Sequence, residues 1–409
     1  MKKLLIILAL ILLFTVGCNN NSNDAPKPST GSNTDNNDKN DENDEIEGNS
    51  PIEGNPDNLE NESPENIDDS TLFHEFNDDA SKILVKLTLE EKIGQMFLVR
   101  CPLEEDLNSF MSMNPGGFIM FGRDFTDKSA YEVTFNIKSY QTKSKIPMII
   151  GVDEEGGTVI RVSSNPLLSD ERFKSPQELY KIGKFDEIRN DTIKKAKLLS
   201  KLGINLNLAP VADVSENETD FIYERSFGKS VVETSEYVKT VVDAMHESGI
   251  SGTLKHFPGY GNNVDTHTGS AYDRRSYKSF VTNDFLPFTA GIESGVESIL
   301  VSHNVVESMD KNLPASLSKN VHDILKNELN FTGVIITDDM SMGAIQQLEE
   351  INSPEIMAVE AGNDMLIVTD FETSYNSLLS AVKNKEISEE KIDESVLRIL
   401  KWKYYMGIM

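Results

Sequence analysis

Eight short runs rich in Val, Ile, Leu and Met recur at 96–100, 117–121, 148–152, 204–208, 252–255, 298–301, 333–337 and 365–369. Most are separated by stretches with helical spacing, at 129–142, 186–202, 231–248, 319–329, 374–383 and 388–405. A sheet with one wetted face would alternate apolar and polar residues. Continuous apolar runs fit parallel strands covered on both faces. Eight such strands in roughly 340 residues predict a (β/α)8 TIM-type barrel, an α/β fold forming one catalytic domain over 71–409. A doubly wound open sheet is the alternative, but no Gly-x-Gly-x-x-Gly follows an early strand to support it.

The first 70 residues are of another kind. Lys2 and Lys3 precede an apolar run over 4–16 that stops at Gly17 and Cys18. This pattern reads as an export signal over 1–18, too short for a membrane span of about 20 residues. Gly-Cys resembles a bacterial lipobox, which makes Cys18 the expected lipidation site, although Thr15 stands where Leu, Val or Ile is usual. Residues 19–70 hold 15 acidic and 2 basic residues and almost no large apolar side chains. Such a segment cannot offset its ordering entropy by burial and is expected to be a disordered tether. The expected location is therefore the outer face of the cell membrane, through a lipid anchor at Cys18.

Composition narrows the function further. Two cysteines rule out a disulfide scaffold. Cys101, at the end of an apolar run, reads as a buried reduced thiol. A net charge of −28 without a basic patch excludes a nucleic-acid partner. No Cys/His spacing suggests zinc, so neither metal nor cofactor is expected, and the chain is read as a monomer.

Barrels carry their chemistry at the C-terminal ends of the strands. Those ends hold Asp153-Glu154-Glu155, Asn207 to Asp213 with Arg225 beyond, Lys255-His256 with Asp265 and His267, Ser302-His303-Asn304, and Asp338-Asp339. A net-acidic rim of this kind suits a polyhydroxylated, uncharged substrate. Cleaving a sugar linkage requires a nucleophilic carboxylate and a proton donor on opposite sides of the bond. Asp338, at the end of a buried strand, is the candidate nucleophile, whereas Asp339 alternates to a structural role. Asp265 and His267 are two apart in a loop, so a carboxylate can fix the imidazole tautomer while the other ring nitrogen moves a proton.

These residues also carry a resemblance. Val152-Asp-Glu-Glu-Gly-Gly157, Asn207-Leu-Ala-Pro-Val-Ala-Asp-Val214, Arg225-Ser-Phe-Gly228, Lys255-His-Phe-Pro-Gly259, Asp265-Thr-His267 and Thr337-Asp-Asp-Met-Ser-Met342 stand in the order of glycoside hydrolase family 3. The chain resembles the β-N-acetylglucosaminidase branch of that family across about residues 85–400. The resemblance implies an exo-acting, retaining β-N-acetylhexosaminidase with a covalent glycosyl-aspartate at Asp338 and an Asp265–His267 acid/base dyad. Asp153, Arg225, Lys255 and His256 match positions that grip the terminal sugar. His303 is open between substrate contact and a structural bond. Tyr260 and Thr158 depart from the His and Arg of many relatives. A β-glucosidase or β-xylosidase, a phosphorylase with the same dyad, and a non-catalytic sugar-binding lipoprotein are the competing readings.

Overall fold

Eight parallel strands close on themselves in chain order. They are β1 Phe97–Arg100, β2 Gly117–Met120, β3 Ile149–Val152, β4 Leu206–Asn207, β5 Ser251–Phe257, β6 Ser298–Val301, β7 Val334–Asp339 and β8 Met365–Val368. The closure is made where Leu98 of β1 pairs with Ile367 of β8. The structure is a computed structural model and describes residues 71–267, 269–346 and 353–409. The expected export signal, Cys18 and the 19–70 tether lie outside the described residues.

The expected barrel is thus the observed one, and burial shows why the runs read as they do. Strands β2, β3, β5, β6 and β8 are buried at every position. Partial exposure within the strands falls on Arg100 of β1 and on Asp338 and Asp339 of β7, all at C-terminal ends. Most of the barrel wall is apolar, and the strand residues that reach solvent are polar ones at C-terminal ends.

Local sequence starts and stops the surrounding helices. Ala130–Lys143 and Pro176–Leu202 each open with a capping box, Ser129 with Glu132 and Ser175 with Glu178. Glu389–Tyr405 opens on Ser388, whose side chain accepts the Lys391 N–H. Each such cap contributes about 1 kcal/mol. Gly203 ends its helix in the left-handed region at φ 92°, where a Cβ would be strained.

Three differences from the sequence reading have physical reasons. The helix expected at 186–202 begins at Pro176, because the non-helical break at Gly183 and Lys184 interrupts the spacing that would announce it. Phe285–Glu293 is helical although no stripe marks it, since Phe285, Leu286, Pro287 and Phe288 are consecutive apolar residues. Strand β5 runs past the expected end at Lys255 to Phe257, so His256 belongs to the strand rather than to the loop after it. A lysine ends a predicted strand only if its charge must stay in water. Here it does not, because the Asp153 and Glu155 carboxylates take the place of water.

Candidate active site

The C-terminal mouth of the barrel holds a cavity of about 590 Å³. Its lining includes the seven residues given catalytic or sugar-gripping roles, Asp153, Arg225, Lys255, His256, Asp265, His267 and Asp338, but not Glu154, Asp213, His303 or Asn304 from the same strand ends. The seven arrive from β3, the connection after β4, β5 and its loop, and β7, and only barrel closure makes them neighbours.

One wall is a chain of charges. The Lys255 ammonium lies 2.6 Å from Asp153 and 2.6 Å from Glu155. Arg225 grips Glu155 with two parallel bonds, Nε to Oε2 at 3.0 Å and Nη2 to Oε1 at 2.8 Å. Such forked, charge-assisted pairs hold geometry as well as energy. Burial alone would raise the Glu155 carboxyl, but Arg225 and Lys255 outweigh it and hold the group far below the ordinary carboxylate range. Burial likewise opposes the Lys255 ammonium, and Asp153 and Glu155 more than offset it, so the lysine stays charged though only 2% exposed.

His256 is fixed from both sides. Arg225 Nη2 stands 3.2 Å from His256 Nε2 and must donate there, since a guanidinium accepts nothing. The imidazole therefore carries its proton on Nδ1 and donates it to Asp213 Oδ2 at 2.8 Å. The same oxygen accepts the His256 backbone N–H, and the other oxygen accepts that of Tyr260 at 2.7 Å. Asp213 is buried and orients this wall without lining the cavity.

The opposite side carries Asp338 and the dyad. Asp338 accepts the Asp339 backbone N–H at 2.9 Å, and its second oxygen has no hydrogen-bond partner among the described residues. Burial pushes its carboxyl up, yet the nearby imidazoles of His303, His256 and His267 and the Asp339 N–H bring it below its ordinary value. It is an ionised, partly exposed carboxylate. His267 Nδ1 lies 2.6 Å from Asp265 Oδ1, which also accepts the His267 backbone N–H at 2.9 Å. That leaves His267 Nε2 with no hydrogen bond among the described residues, on a side chain 59% exposed.

The residues left open in the sequence find their places. His303 donates from Nε2 to the Asp339 carbonyl at 3.0 Å and accepts the Ser316 hydroxyl at Nδ1 at 2.7 Å. Both nitrogens are occupied by protein groups, so it is a structural group, and burial lowers its pKa. Asp339 accepts the Ser341 N–H and the Thr369 hydroxyl, as its alternation suggested. Cys101 is buried, and burial pushes its thiol up to about 12, far from a nucleophile. Sequence reasoning passed over the bridging role of Glu155, the anchoring role of Asp213, and the lining residues Arg100, Arg161 and Phe121. Arg100 closes β1, so the strand-end rule could have found it. Nothing local marks Glu155 apart from Glu154, which instead accepts three backbone N–H groups at 161–163.

Comparison with known proteins bears on the family and the fold. The profile of the Glycosyl hydrolase family 3 N terminal domain matches residues 88–402. A beta-hexosaminidase of Actinobacillus pleuropneumoniae serotype 5b is 30% identical over 297 residues, covering 70% of this chain and 84% of its own. One from Nitrosomonas eutropha is 28% identical over 280 residues, covering 66% and 77%. The solved glycoside hydrolase family 3 beta-N-acetylglucosaminidase of Paenibacillus sp. str. FPU-7 superimposes with a TM-score of 0.74 at 28% identity. That match covers 79% of this chain and 63% of the Paenibacillus chain, so the present protein spans less than two thirds of that structure.

Proposed function

The chain belongs to glycosyl hydrolase family 3 and is a glycoside hydrolase, and on that premise we propose an exo-acting, retaining β-N-acetylhexosaminidase that releases terminal β-linked N-acetylglucosamine. The observation that carries the reading is the cavity itself, in which an ionised Asp338, an Asp265–His267 pair and a wall of paired charges face one space.

In the first step Asp338 attacks the anomeric carbon and forms a glycosyl ester, while the bond to the leaving oxygen breaks. Protonated His267 gives its Nε2 proton to that oxygen and leaves as neutral imidazole. Asp265 holds the Nδ1 proton throughout and stabilises the imidazolium form by its charge. In the second step His267 takes a proton from water, whose oxygen attacks the same carbon and frees Asp338. Two inversions at one carbon retain its configuration. Asp153, Arg225, Lys255 and His256 hold the hydroxyls of the terminal sugar. Charged donors and acceptors of this kind discriminate because a missing hydroxyl leaves a buried ion unpaired. The expected export signal and lipidated Cys18 put the reaction outside the cell membrane, on cell-wall fragments or other exported glycans.

The test is release from an aryl β-N-acetylglucosaminide compared with the matching aryl β-glucoside. Cleavage of the glucoside alone would sink the proposal. A mechanism-based fluorosugar that labels Asp338, located by peptide mapping, checks the nucleophile. Faster release on adding inorganic phosphate, with a sugar phosphate as product, would turn the reading toward a phosphorylase.

A further inference from the structure

Tyr260 stands in the loop between the sugar-gripping wall and the dyad, and it is almost wholly buried at 1% exposure. Its ring meets that of His256 edge-on, with centroids 5.1 Å apart. Its backbone N–H is held by Asp213, the carboxylate that also holds His256. Its hydroxyl reaches the Thr266 hydroxyl at 2.5 Å. Thr266 is fully buried and lies between Asp265 and His267 in the chain, both of which line the cavity. The Thr266 carbonyl accepts the Ala344 N–H at 3.1 Å, and that of His267 accepts the Gly343 N–H at 3.3 Å. The dyad loop is thus clamped between the wall on one side and the segment after β7 on the other.

The His267 side chain is exposed and gains little position from packing. Where the imidazole stands must come from the backbone that carries it, and Thr266 is where that backbone is fastened to the wall. We propose that Tyr260 is a positioning residue whose hydroxyl, through Thr266, sets the Asp265–His267 pair against the sugar held by His256 and its neighbours. The proposal rests on the assignment of His267 as the proton donor. Loss of the bond leaves the wall intact, because Asp213 and Arg225 still hold His256. The cost falls on proton transfer, which is sensitive to small displacements.

Tyr260→Phe removes one oxygen and keeps the ring contact. Its kcat/KM is to be measured on phenyl and para-nitrophenyl β-N-acetylglucosaminides. Para-nitrophenol departs with little help from an acid, whereas phenol needs it. The expected result is a loss of about tenfold on the phenyl substrate and less than about threefold on the nitrophenyl one. Thr266→Val should show the same pattern, Thr266→Ser should restore it, and the double variant should be no worse than either single one. Equal losses on both substrates, additive losses, or no loss overturn the proposal. His267→Ala measured alongside separates the two failures. If it shows no greater loss on the phenyl substrate, the proton-donor assignment fails and the proposal falls with it. If it shows that loss and Tyr260→Phe does not, only the link through Thr266 is wrong. Should Tyr260→Phe not fold, Thr266→Val tests the bond from its other end.

Discussion

Two buried lysines mark opposite ends of the barrel, and they differ in state. Lys255 at the mouth and Lys403 at the floor are both nearly inaccessible, at 2% and 0% exposure. Lys255 faces two carboxylates at 2.6 Å each, whereas Lys403 faces the neutral amide oxygen of Gln95 at 2.6 Å. Burial disfavours the ammonium at both sites. At the mouth Asp153 and Glu155 reverse that and raise the pKa; at the floor nothing does, and Lys403 is pushed down to about 7. A low-dielectric interior keeps a cation only when its partners are ions too. The mouth is built to hold charge in place for a ligand. The floor holds it at a cost to stability.

The comparison can be broken by substitution, and the mouth should show the largest effects. Asp338→Ala is expected to lower turnover by about four orders of magnitude, with the thermal midpoint little changed, as read by aryl glycoside assay and calorimetry. Activity retained after that change would remove Asp338 from the chemistry. Lys255→Met should fail in both respects. It leaves Asp153 and Glu155 facing each other and Arg225, with a loss of about 3–5 kcal/mol in urea unfolding and of most turnover. If folding were untouched, the charge chain would not be the coupled unit described.

Lys403→Met should act in the other direction, adding roughly 1–3 kcal/mol at neutral pH by replacing a poorly matched buried cation with an apolar side chain, with turnover unchanged. That advantage depends on pH. The folded-state value of Lys403, about 7, lies below its unfolded value of 10.5. The unfolded chain therefore binds the extra proton between these limits, and the penalty grows as pH falls from 10.5 to about 7. The advantage of Lys403→Met should shrink as pH rises through that window. Lys255 has the opposite sign: its value is raised, so its contribution is complete below 10.5 and is lost only as pH climbs through the folded value. An advantage that does not change with pH would mean that Lys403 is not forced toward neutrality.

Much of this was legible beforehand. Continuous apolar runs announced β1–β8 because both faces of each strand are covered. Strand-end polar residues announced the mouth because a closed barrel leaves water access only there. Less legible were Glu155, whose role depends on Arg225 seventy positions away, and Asp213, which works through His256 and Tyr260. Lys403 gave no signal, since a lysine on the helix Glu389–Tyr405 reads as a solvated side chain until Gln95 and the barrel floor close over it.

The amino-acid order by itself determined the strands, the barrel and the polar strand-end residues that supply part of its mouth, because apolar runs and their ends are local properties. Only the tertiary structure decided which of those residues hold one another: that Glu155 joins Lys255 to Arg225, that Asp213 orients His256, and that Tyr260 fastens the dyad loop. Charge pairing and hydrogen bonding act over a few ångströms, and the distances that matter are set by closure of the barrel rather than by separation along the chain.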